Sequence, residues 1–199
     1  MEIKEISIED LSDVIKIHKD SFKNFFLTEL GDQFLMLYYD SIRRDSKVIL
    51  LGLFEEGELY GFCAATTLSK GFNKQLVLKN FFRFSLIGLR LLITKPNSLV
   101  RLIKNFSKND TKILDTGEYA ELLSIGVSSN KQGLGIGKML LFQLENELKI
   151  KSCSELSLTT DYYKNDKTIQ FYKGLGYVVL YEFTTFPERK MYRMIKKLN

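Results

Sequence analysis

Histidine and cysteine are scarce in this 199-residue chain, which has one histidine, His18, and two cysteines, Cys63 and Cys153. Metal sites that rely on several His or Cys ligands are therefore excluded, and a histidine triad would have to be built around His18. The surrounding pattern is more typical of a helix-face residue than of a catalyst. The cysteines lie in apolar runs without paired spacing, so we expect buried, reduced thiols rather than a disulfide framework.

Acidic residues are absent over a long stretch, because none occurs between Glu58 and Asp110. Nine basic residues interrupt the aromatic and aliphatic runs there: Lys70, Lys74, Lys79, Arg83, Arg90, Lys95, Arg101, Lys104 and Lys108. The composition of residues 69–116 therefore differs from that of the rest of the chain. The apolar run at residues 86–93 is too short, and too interrupted by Arg90, to span a bilayer.

Within this stretch, the periodicity predicts two amphipathic helices separated by a break at residues 95–97. Lys79, Arg83 and Arg90 fall on one side of the first helix, and the second has an apolar stripe formed by Leu99, Leu102, Ile103 and Phe106. One interpretation is that both helices pack on the core with their charges in water. The other is a basic, aromatic lid that shapes an acceptor site or makes weak contact with an anionic membrane surface or a phosphorylated substrate.

Length, composition and charge set the broad class. With 199 residues and 45% hydrophobic content, the chain is expected to form one domain over residues 1–199. Residues 1–5 are acidic and lack the apolar region of a secretory signal, so we expect a cytoplasmic protein. The net charge of +5 suits an anionic small molecule, with no nucleic acid expected as a partner. Either a monomer or a homodimer is compatible with the sequence.

The most informative motif is the glycine-containing segment at residues 132–138, which follows a β-rich run at residues 121–127. Its glycines precede an amphipathic helix, so several backbone N–H groups can converge on an anion. A Walker loop is excluded because Gln132 and Met139 occupy its first glycine and hydroxyl positions. A dinucleotide fingerprint is disfavoured because Lys138 stands at its last glycine position.

The remaining pattern, Gln-x-x-Gly-x-Gly from Gln132 to Gly137, resembles the pyrophosphate loop of the GCN5-related N-acetyltransferase (GNAT) superfamily. A second similarity follows in residues 155–177, where Asn165, a helix, Phe171-Tyr172 and Gly176-Tyr177 match the ending of that family. The resemblance implies an α/β GNAT fold with a mixed central sheet flanked by helices. A basic helical insertion, about residues 69–116, would separate the third and fourth strands.

The order of elements agrees with this resemblance. Residues 3–8 alternate like a strand, apolar spacing predicts helices from Leu11 and from Leu30 or Gly31 to Arg43, and residues 47–67 read as a hairpin with a glycine-containing turn. The helix after the loop should bury a stripe that starts at Ile136 and continues through Leu140, Leu141, Leu144 and Leu148. Leu134 is likewise expected to pack inward, and Gly126 is a plausible site for a bulge.

The resemblance also implies how acetyl-CoA would be bound, without any metal. The strand edge would pair with the pantetheine, the loop amides would hold the pyrophosphate, and the tyrosine would protonate the departing thiolate. These roles carry over to Ile125, Gly126, Val127, Gln132, Gly133, Leu134, Gly135, Ile136, Gly137, Lys138, Asn165 and Tyr172. Other interpretations stay open: the glycines could form a simple turn, Tyr172 could be a core residue, and Asn165 or Asp166 could only cap a helix.

The group that accepts the proton of the amine is less clear from the sequence. Glu121 is the first choice, because family members often carry an acid there, with Glu118 and Asp161 in reserve. A salt-bridged surface role for Glu121 is the alternative. Acetyltransferases of the ribosomal-protein type carry a glutamate near the end of the next strand, where this chain has Thr160.

The sequence therefore predicts an acetyl-CoA-dependent N-acetyltransferase that acts on the primary amine of a small molecule. An amino sugar or a nucleotide-linked amino sugar would fit the basic insertion. One alternative is acetylation of a protein N-terminus or lysine, which needs an open groove. A third hypothesis is a non-catalytic acyl-CoA-binding module.

Overall fold

A computed structural model describes residues 1–23, 25–107 and 115–199 of the chain. Its strands are β1 Glu2–Glu5, β2 Val48–Glu55, β3 Glu58–Thr66, β4 Ala120–Val127, β5 Glu155–Asp161, β6 Val178–Thr185 and β7 Arg189–Lys197. Its helices are α1 Leu11–Ser21, α2 Phe26–Leu30, α3 Asp32–Arg43, α4 Phe72–Lys79, α5 Phe81–Thr94, α6 Pro96–Ser107, α7 Ile136–Ile150 and α8 Asp166–Gly174. The order confirms the predicted α/β class.

Within the described residues, the strands form one mixed sheet in the order β1-β2-β3-β4-β5-β7-β6. Its central pair, β4 and β5, is parallel, and the other neighbours are antiparallel. The predicted hairpin is confirmed as β2 and β3, joined by Glu56 and Gly57. Both turn residues have positive φ, 51° and 83°, as a tight turn between twisted strands requires.

Two hydrophobic clusters lie on opposite faces of the sheet. The stripe predicted for α7 is confirmed, because Ile136, Leu140, Leu141, Leu144 and Leu148 are all buried in one cluster. Helices α1 and α3 cover the other face through residues such as Leu11, Val14, Leu35 and Tyr39. Burial of these stripes supplies most of the driving force for folding, and it fixes β4 between the two layers. The loop before α7 lies at the surface.

The described part of residues 69–116 contains three helices where the periodicity predicted two, because Asn80 separates α4 from α5 before the expected break that separates α5 from α6. Their inner side chains, including Phe84, Leu91 and Leu99, form a third cluster with Leu30 and Phe34 of α2 and α3. Whether the segment is an insertion relative to the family stays a prediction. Lys108, Asp110 and the side chain of Phe106 lie outside the described residues.

An ion-pair cluster around Asp40 also holds α5 against α3. The Asp40 carboxylate is 4% exposed and accepts hydrogen bonds from Arg43, Arg44 and Arg83, the last at 3.0 Å from α5. Burial alone would raise the pKa of Asp40, but the hydrogen bonds from the three arginines outweigh it and lower the pKa below its usual range. Arg83 is therefore part of the scaffold.

Candidate active site

The central strands part in the middle of the sheet. The ladder between β4 and β5 comprises three residue pairs and ends at Leu122 and Leu158, although β4 continues to Val127. Beyond that point, the β4 edge that faces β5 has no strand beside it in the described residues. Such an edge presents N–H and C=O groups to any ligand that carries its own amides. The predicted bulge is not at Gly126, which pairs regularly with Phe62.

The bulge lies instead at Leu123, where the register between β3 and β4 shifts between Ala64 and Ala65. Gly126 has a different reason to be glycine, since a Cβ there would lie 3.1 Å from the Ser21 hydroxyl and 3.2 Å from a methyl group of Ile17. The close approach of α1 to β4 therefore needs a residue without a side chain. Sequence patterns cannot distinguish this packing role from a bulge.

The loop after β4 leads into α7 through two residues with positive φ, Gly133 at 84° and Gly135 at 77°. The first hydrogen bond of the helix at this end runs from Met139 N–H to Gly135 C=O at 3.0 Å. The N–H groups of Ile136, Gly137 and Lys138 therefore have no acceptor within the helix, and they point towards its N-terminal end. Three such donors, together with the helix dipole, are the features by which helix N-termini bind anions.

Leu134 does not pack inward as predicted, because its side chain is 57% exposed. It lies between the two positive-φ glycines, so the chain turns outward before Ile136 enters the core at 1% exposure.

Gly137 is not needed for close packing, unlike Gly126, since a Cβ there would meet only Phe171 at 3.7 Å and Val127 at 3.9 Å. The protein itself thus leaves room at Gly137, next to the unpaired donors of α7.

A cleft of about 600 Å³ runs from this loop, along β4, to the side chains of α1 and α3. At one end it is lined by Gln132, Gly133 and Gly137, and along β4 by residues 122–127. At the other end are aromatic and aliphatic groups: His18, Phe22, Phe25, Leu27, Tyr38 and Tyr39. Volumes of this order are typical of small-molecule sites. The other predicted positions, Leu134, Gly135, Ile136, Lys138 and Asn165, do not line the cleft.

Tyr172 of α8 lies in the wall of this cleft with 5% of its surface exposed. It packs against Phe171 and Tyr177, so its ring belongs to the core as well as to the cleft. Burial, with a smaller contribution from the nearby Cys63 thiol, raises the pKa of Tyr172 well above its usual value. The phenol therefore stays protonated at neutral pH and can donate a proton.

Asn165 occupies the position before the first residue of α8, but its side chain makes no capping hydrogen bond. The amide nitrogen instead donates to Thr160 Oγ1 at 2.6 Å and to the Asp161 carbonyl at 3.2 Å. Asn165 thus connects the start of α8 to the end of β5, where Thr160 lines the cleft.

This arrangement of a parted strand pair, an anion-binding helix end and a buried tyrosine matches the expectation from the motifs. A model of the acetyltransferase (GNAT) family matches residues 11–177. The chain belongs to the GNAT family. It is accordingly an acyltransferase, of a family whose members use acetyl-CoA.

Solved structures of GNAT enzymes share the fold at low sequence identity. A ribosomal-protein-alanine N-acetyltransferase from Brucella melitensis is 17% identical with a TM-score of 0.66, and the match covers all of both chains. The PaiA N-acetyltransferase from Thermoplasma acidophilum, in complex with coenzyme A, is 19% identical with a TM-score of 0.54 over 98% of each chain. An aminoglycoside 6'-acetyltransferase is 17% identical with a TM-score of 0.60, covering 100% of this chain and 98% of the other. No curated protein matches the chain.

The carboxylates considered as the GNAT base are all engaged by cations. Glu121 binds Arg193 at 2.6 Å and accepts a hydrogen bond from Ser69, and it does not line the cleft. Asp161 is held by Arg189 at two atoms, and Glu118 is exposed and lies 3.2 Å from Lys70. A carboxylate that is already hydrogen-bonded to protein groups has fewer lone pairs available for a substrate proton.

His18, which the sequence placed on a helix face, is buried on the inner face of α1 at 2% exposure. It lines the same GNAT cleft, and its Nδ1 atom lies 2.7 Å from the Tyr39 hydroxyl. The periodicity of α1 assigns His18 to the buried side, next to Ile17, Val14 and Leu11, and this was the signal for its inward position. Its contact with Tyr39 could not be read from the sequence.

The described residues offer neither a cluster of metal ligands nor a membrane-spanning helix. They contain no group of three or more His, Cys, Asp or Glu residues placed to hold a metal ion. None of their helices has both the length and the apolar character needed to cross a membrane.

Cys63 is buried as expected, and desolvation raises the pKa of its thiol to about 12. Cys153 is only half-buried.

Proposed function

We propose that this chain transfers an acetyl group from acetyl-CoA to the primary amine of a small molecule, most favourably an amino sugar or a nucleotide-linked amino sugar. The unpaired N–H groups at the start of α7 would hold the pyrophosphate, and the free edge of β4 would pair with the pantetheine amides. Tyr172 would give its proton to the thiolate as it leaves. The fit is supported by Gly137, where a Cβ beside the helix end would meet the protein only in ordinary van der Waals contact.

The observation that favours a small acceptor over a peptide is the cover on the aromatic end of the cleft. Helix α6 reaches α2 through Arg101, which lies 3.3 Å from Glu29, and it reaches the turn between β6 and β7 through Lys104, 4.2 Å from the Phe186 ring centroid. From the same turn, Arg189 lies 4.6 Å from the ring of Phe25, which lines the cleft. An extended peptide needs an open groove, and contacts that tie α6 and β7 to the elements around the aromatic end of the cleft support a small acceptor instead.

The side chains at the aromatic end of the cleft also suit a sugar. Phe22, Phe25 and Tyr38 present ring faces and edges, on which the C–H faces of a pyranose pack well. The abundance of cations in α4–α6 favours a substrate that carries phosphate, which a nucleotide-linked sugar has. The ribosomal-protein-alanine and aminoglycoside enzymes with this fold show that it serves both protein and sugar acceptors, so the fold itself does not decide.

A thiol-release assay with a panel of acceptors tests this function. With saturating acetyl-CoA, we expect kcat/KM for at least one amino sugar or nucleotide-linked amino sugar to exceed that for peptides with a free N-terminal alanine or an internal lysine by at least tenfold. Calorimetric binding of coenzyme A should be measured on the same preparation. Faster turnover of a peptide would reverse the assignment of the acceptor, and tight binding without turnover of any amine would favour a non-catalytic module.

A further inference from the structure

A buried chain of hydrogen bonds links the acceptor end of the cleft to β4. His18 Nδ1 lies 2.7 Å from the Tyr39 hydroxyl, and that hydroxyl lies 3.2 Å from Ser124 Oγ. All three residues line the cleft, and both His18 and Tyr39 are almost completely buried. The chain therefore connects α1, α3 and β4 at the place where donor and acceptor would meet.

One direction of these hydrogen bonds leaves Nε2 of His18 as the acceptor nitrogen. When the Tyr39 hydroxyl donates to Ser124, its oxygen is left to accept a hydrogen bond from Nδ1–H. The other ring nitrogen, Nε2, then carries a lone pair, and among the described residues it has no hydrogen-bond partner although it is buried. Burial lowers the pKa of His18 to about 4, so the ring is uncharged at neutral pH. An unpaired buried acceptor in the wall of a cleft requires an explanation.

We propose that His18 Nε2 accepts the proton of the acceptor amine, and that Tyr39 and Ser124 hold the imidazole in the tautomer that can do so. This inference rests on the acetyltransferase function proposed above. As the amine nitrogen bonds to the thioester carbonyl carbon, one N–H proton moves to Nε2. The carbon–sulfur bond then breaks and the sulfur takes a proton from Tyr172. His18 releases its proton to water and Tyr172 regains one from water, so both groups return to their starting states.

His18 fits this role better than Glu121 for two reasons. The Glu121 carboxylate is paired with Arg193 and bound by Ser69, outside the lining of the cleft, whereas Nε2 is unpaired and His18 is in the lining. An uncharged base in an aromatic pocket also avoids burying an anion, which a free carboxylate there would require. Glu121 and Arg193 then connect β4 to β7 as a structural pair.

The experiment compares three variants in the thiol-release assay with the best acceptor. His18→Phe keeps the ring volume and should lower kcat about 100-fold, within the range found for loss of a general base. Tyr39→Phe removes only the hydroxyl and should lower kcat about tenfold. In both, the KM for acetyl-CoA should stay within threefold of the wild-type value. In His18→Ala, added imidazole should restore part of kcat, which a purely structural role would not allow.

The outcomes are distinguishable from failure of the proposed function. If wild-type protein binds coenzyme A but acetylates no amine, the function fails and the role of His18 with it. If the wild type is active and folded His18→Phe keeps kcat within threefold, the role of His18 alone is wrong. Should His18→Phe not fold, His18→Gln and the imidazole test on His18→Ala decide. The Glu121→Gln variant serves as the matched comparison and should lose less kcat than His18→Phe.

A separate observation concerns the outer face of α5. Six large apolar side chains on this 14-residue helix are more than half exposed: Phe81, Phe82, Leu86, Leu89, Leu92 and Ile93, with values from 55% to 85%. At 100° per residue they fall on one side, opposite Phe84 and Leu91 of the buried cluster. No charged residue interrupts this outer face, since Arg83 and Arg90 project from its border towards α3.

We infer that the outer face of α5 docks on an anionic membrane surface, with the helix parallel to the bilayer. Eight cations lie in the part of residues 69–116 that the structure describes, which includes α5. Four carboxylates form ion pairs with them: Glu29, Asp40, Asp45 and Glu118. This excess of positive charge favours an anionic apolar surface. A second copy would bring the same basic segments together, which disfavours self-association through this face.

Sedimentation with vesicles tests this docking. Wild-type protein should co-sediment with vesicles that contain 30% phosphatidylserine at low salt, less at high salt, and little with pure phosphatidylcholine. Phe82→Gln combined with Ile93→Gln should reduce binding at least tenfold, whereas Ile150→Gln, an equally exposed residue on α7, should not. Equal binding by the wild type and the double variant, or a stable dimer that the double variant abolishes, would overturn the inference.

Discussion

Replacing Gly137 with leucine should weaken coenzyme A binding at least 100-fold, or ~2.7 kcal/mol, without lowering the thermal midpoint. The protein leaves room for a side chain there, because its nearest atoms to a Cβ are 3.7 Å and 3.9 Å away. The side chain would instead fill the space in front of the N–H groups that begin α7. A leucine in the first turn of a helix also stabilises it by up to ~1 kcal/mol relative to glycine.

Calorimetry of coenzyme A binding and thermal unfolding of the same samples provide the measurement. Gly174→Leu is the matched control, since Gly174 is another helical glycine, a Cβ there would have no atom within 4 Å, and it does not line the cleft. Gly135 is a poorer test because its φ of 77° would strain any other residue. A loss of affinity in such a variant could then come from altered folding rather than from altered binding. Unchanged affinity in a folded Gly137→Leu protein would remove this helix end from the binding site.

Replacing Tyr172 with phenylalanine should lower kcat by roughly 100-fold or more while leaving the KM for acetyl-CoA within about threefold. The change removes only the hydroxyl, and the ring can keep its packing against Phe171 and Tyr177. Since the pKa of Tyr172 is raised, its proton is present over the whole range in which the protein is assayed. The expected loss is therefore in the step that protonates the thiolate.

Tyr177→Phe is the matched control for Tyr172→Phe. The Tyr177 hydroxyl donates to the buried Glu145 carboxylate at 3.0 Å, which also binds Lys196 at 2.6 Å. Its removal should cost about 1–3 kcal/mol of unfolding free energy with little change in kcat. Equal kcat values for Tyr172→Phe and the wild type would show that another group, or water, protonates the sulfur.

Local patterns were enough to predict the elements that carry their own periodicity. The hairpin of β2 and β3, the glycine loop and the buried stripe of α7 each have a signature within about 15 residues. Leu134 was assigned to the core because it alternates with Ile136. The positive φ of the flanking glycines, which turns it into solvent, depends on the path of the loop rather than on its composition.

The chemistry of the site depended on contacts that are distant in the sequence. Tyr39 and Ser124, which form the hydrogen-bond chain with His18, are 85 positions apart, and the partner of Glu121 is Arg193, 72 positions away. No motif spacing encodes such pairs, so the sequence leaves Glu121 open between a base and a salt-bridged residue and places His18 only on a helix face. The groups proposed to bind the acetyl donor could be predicted, because backbone amides and glycines of a single loop provide them.

The parting of β4 and β5 after three residue pairs leaves a wedge-shaped gap in the centre of the sheet. An acetyl donor whose amides pair with the free edge of β4 would act as an additional strand and connect the two parts of the sheet. Backbone amides of residues 123–127 should then exchange with deuterium more slowly as the donor concentration rises. The rigidity of the enzyme would thus be set partly by its own substrate.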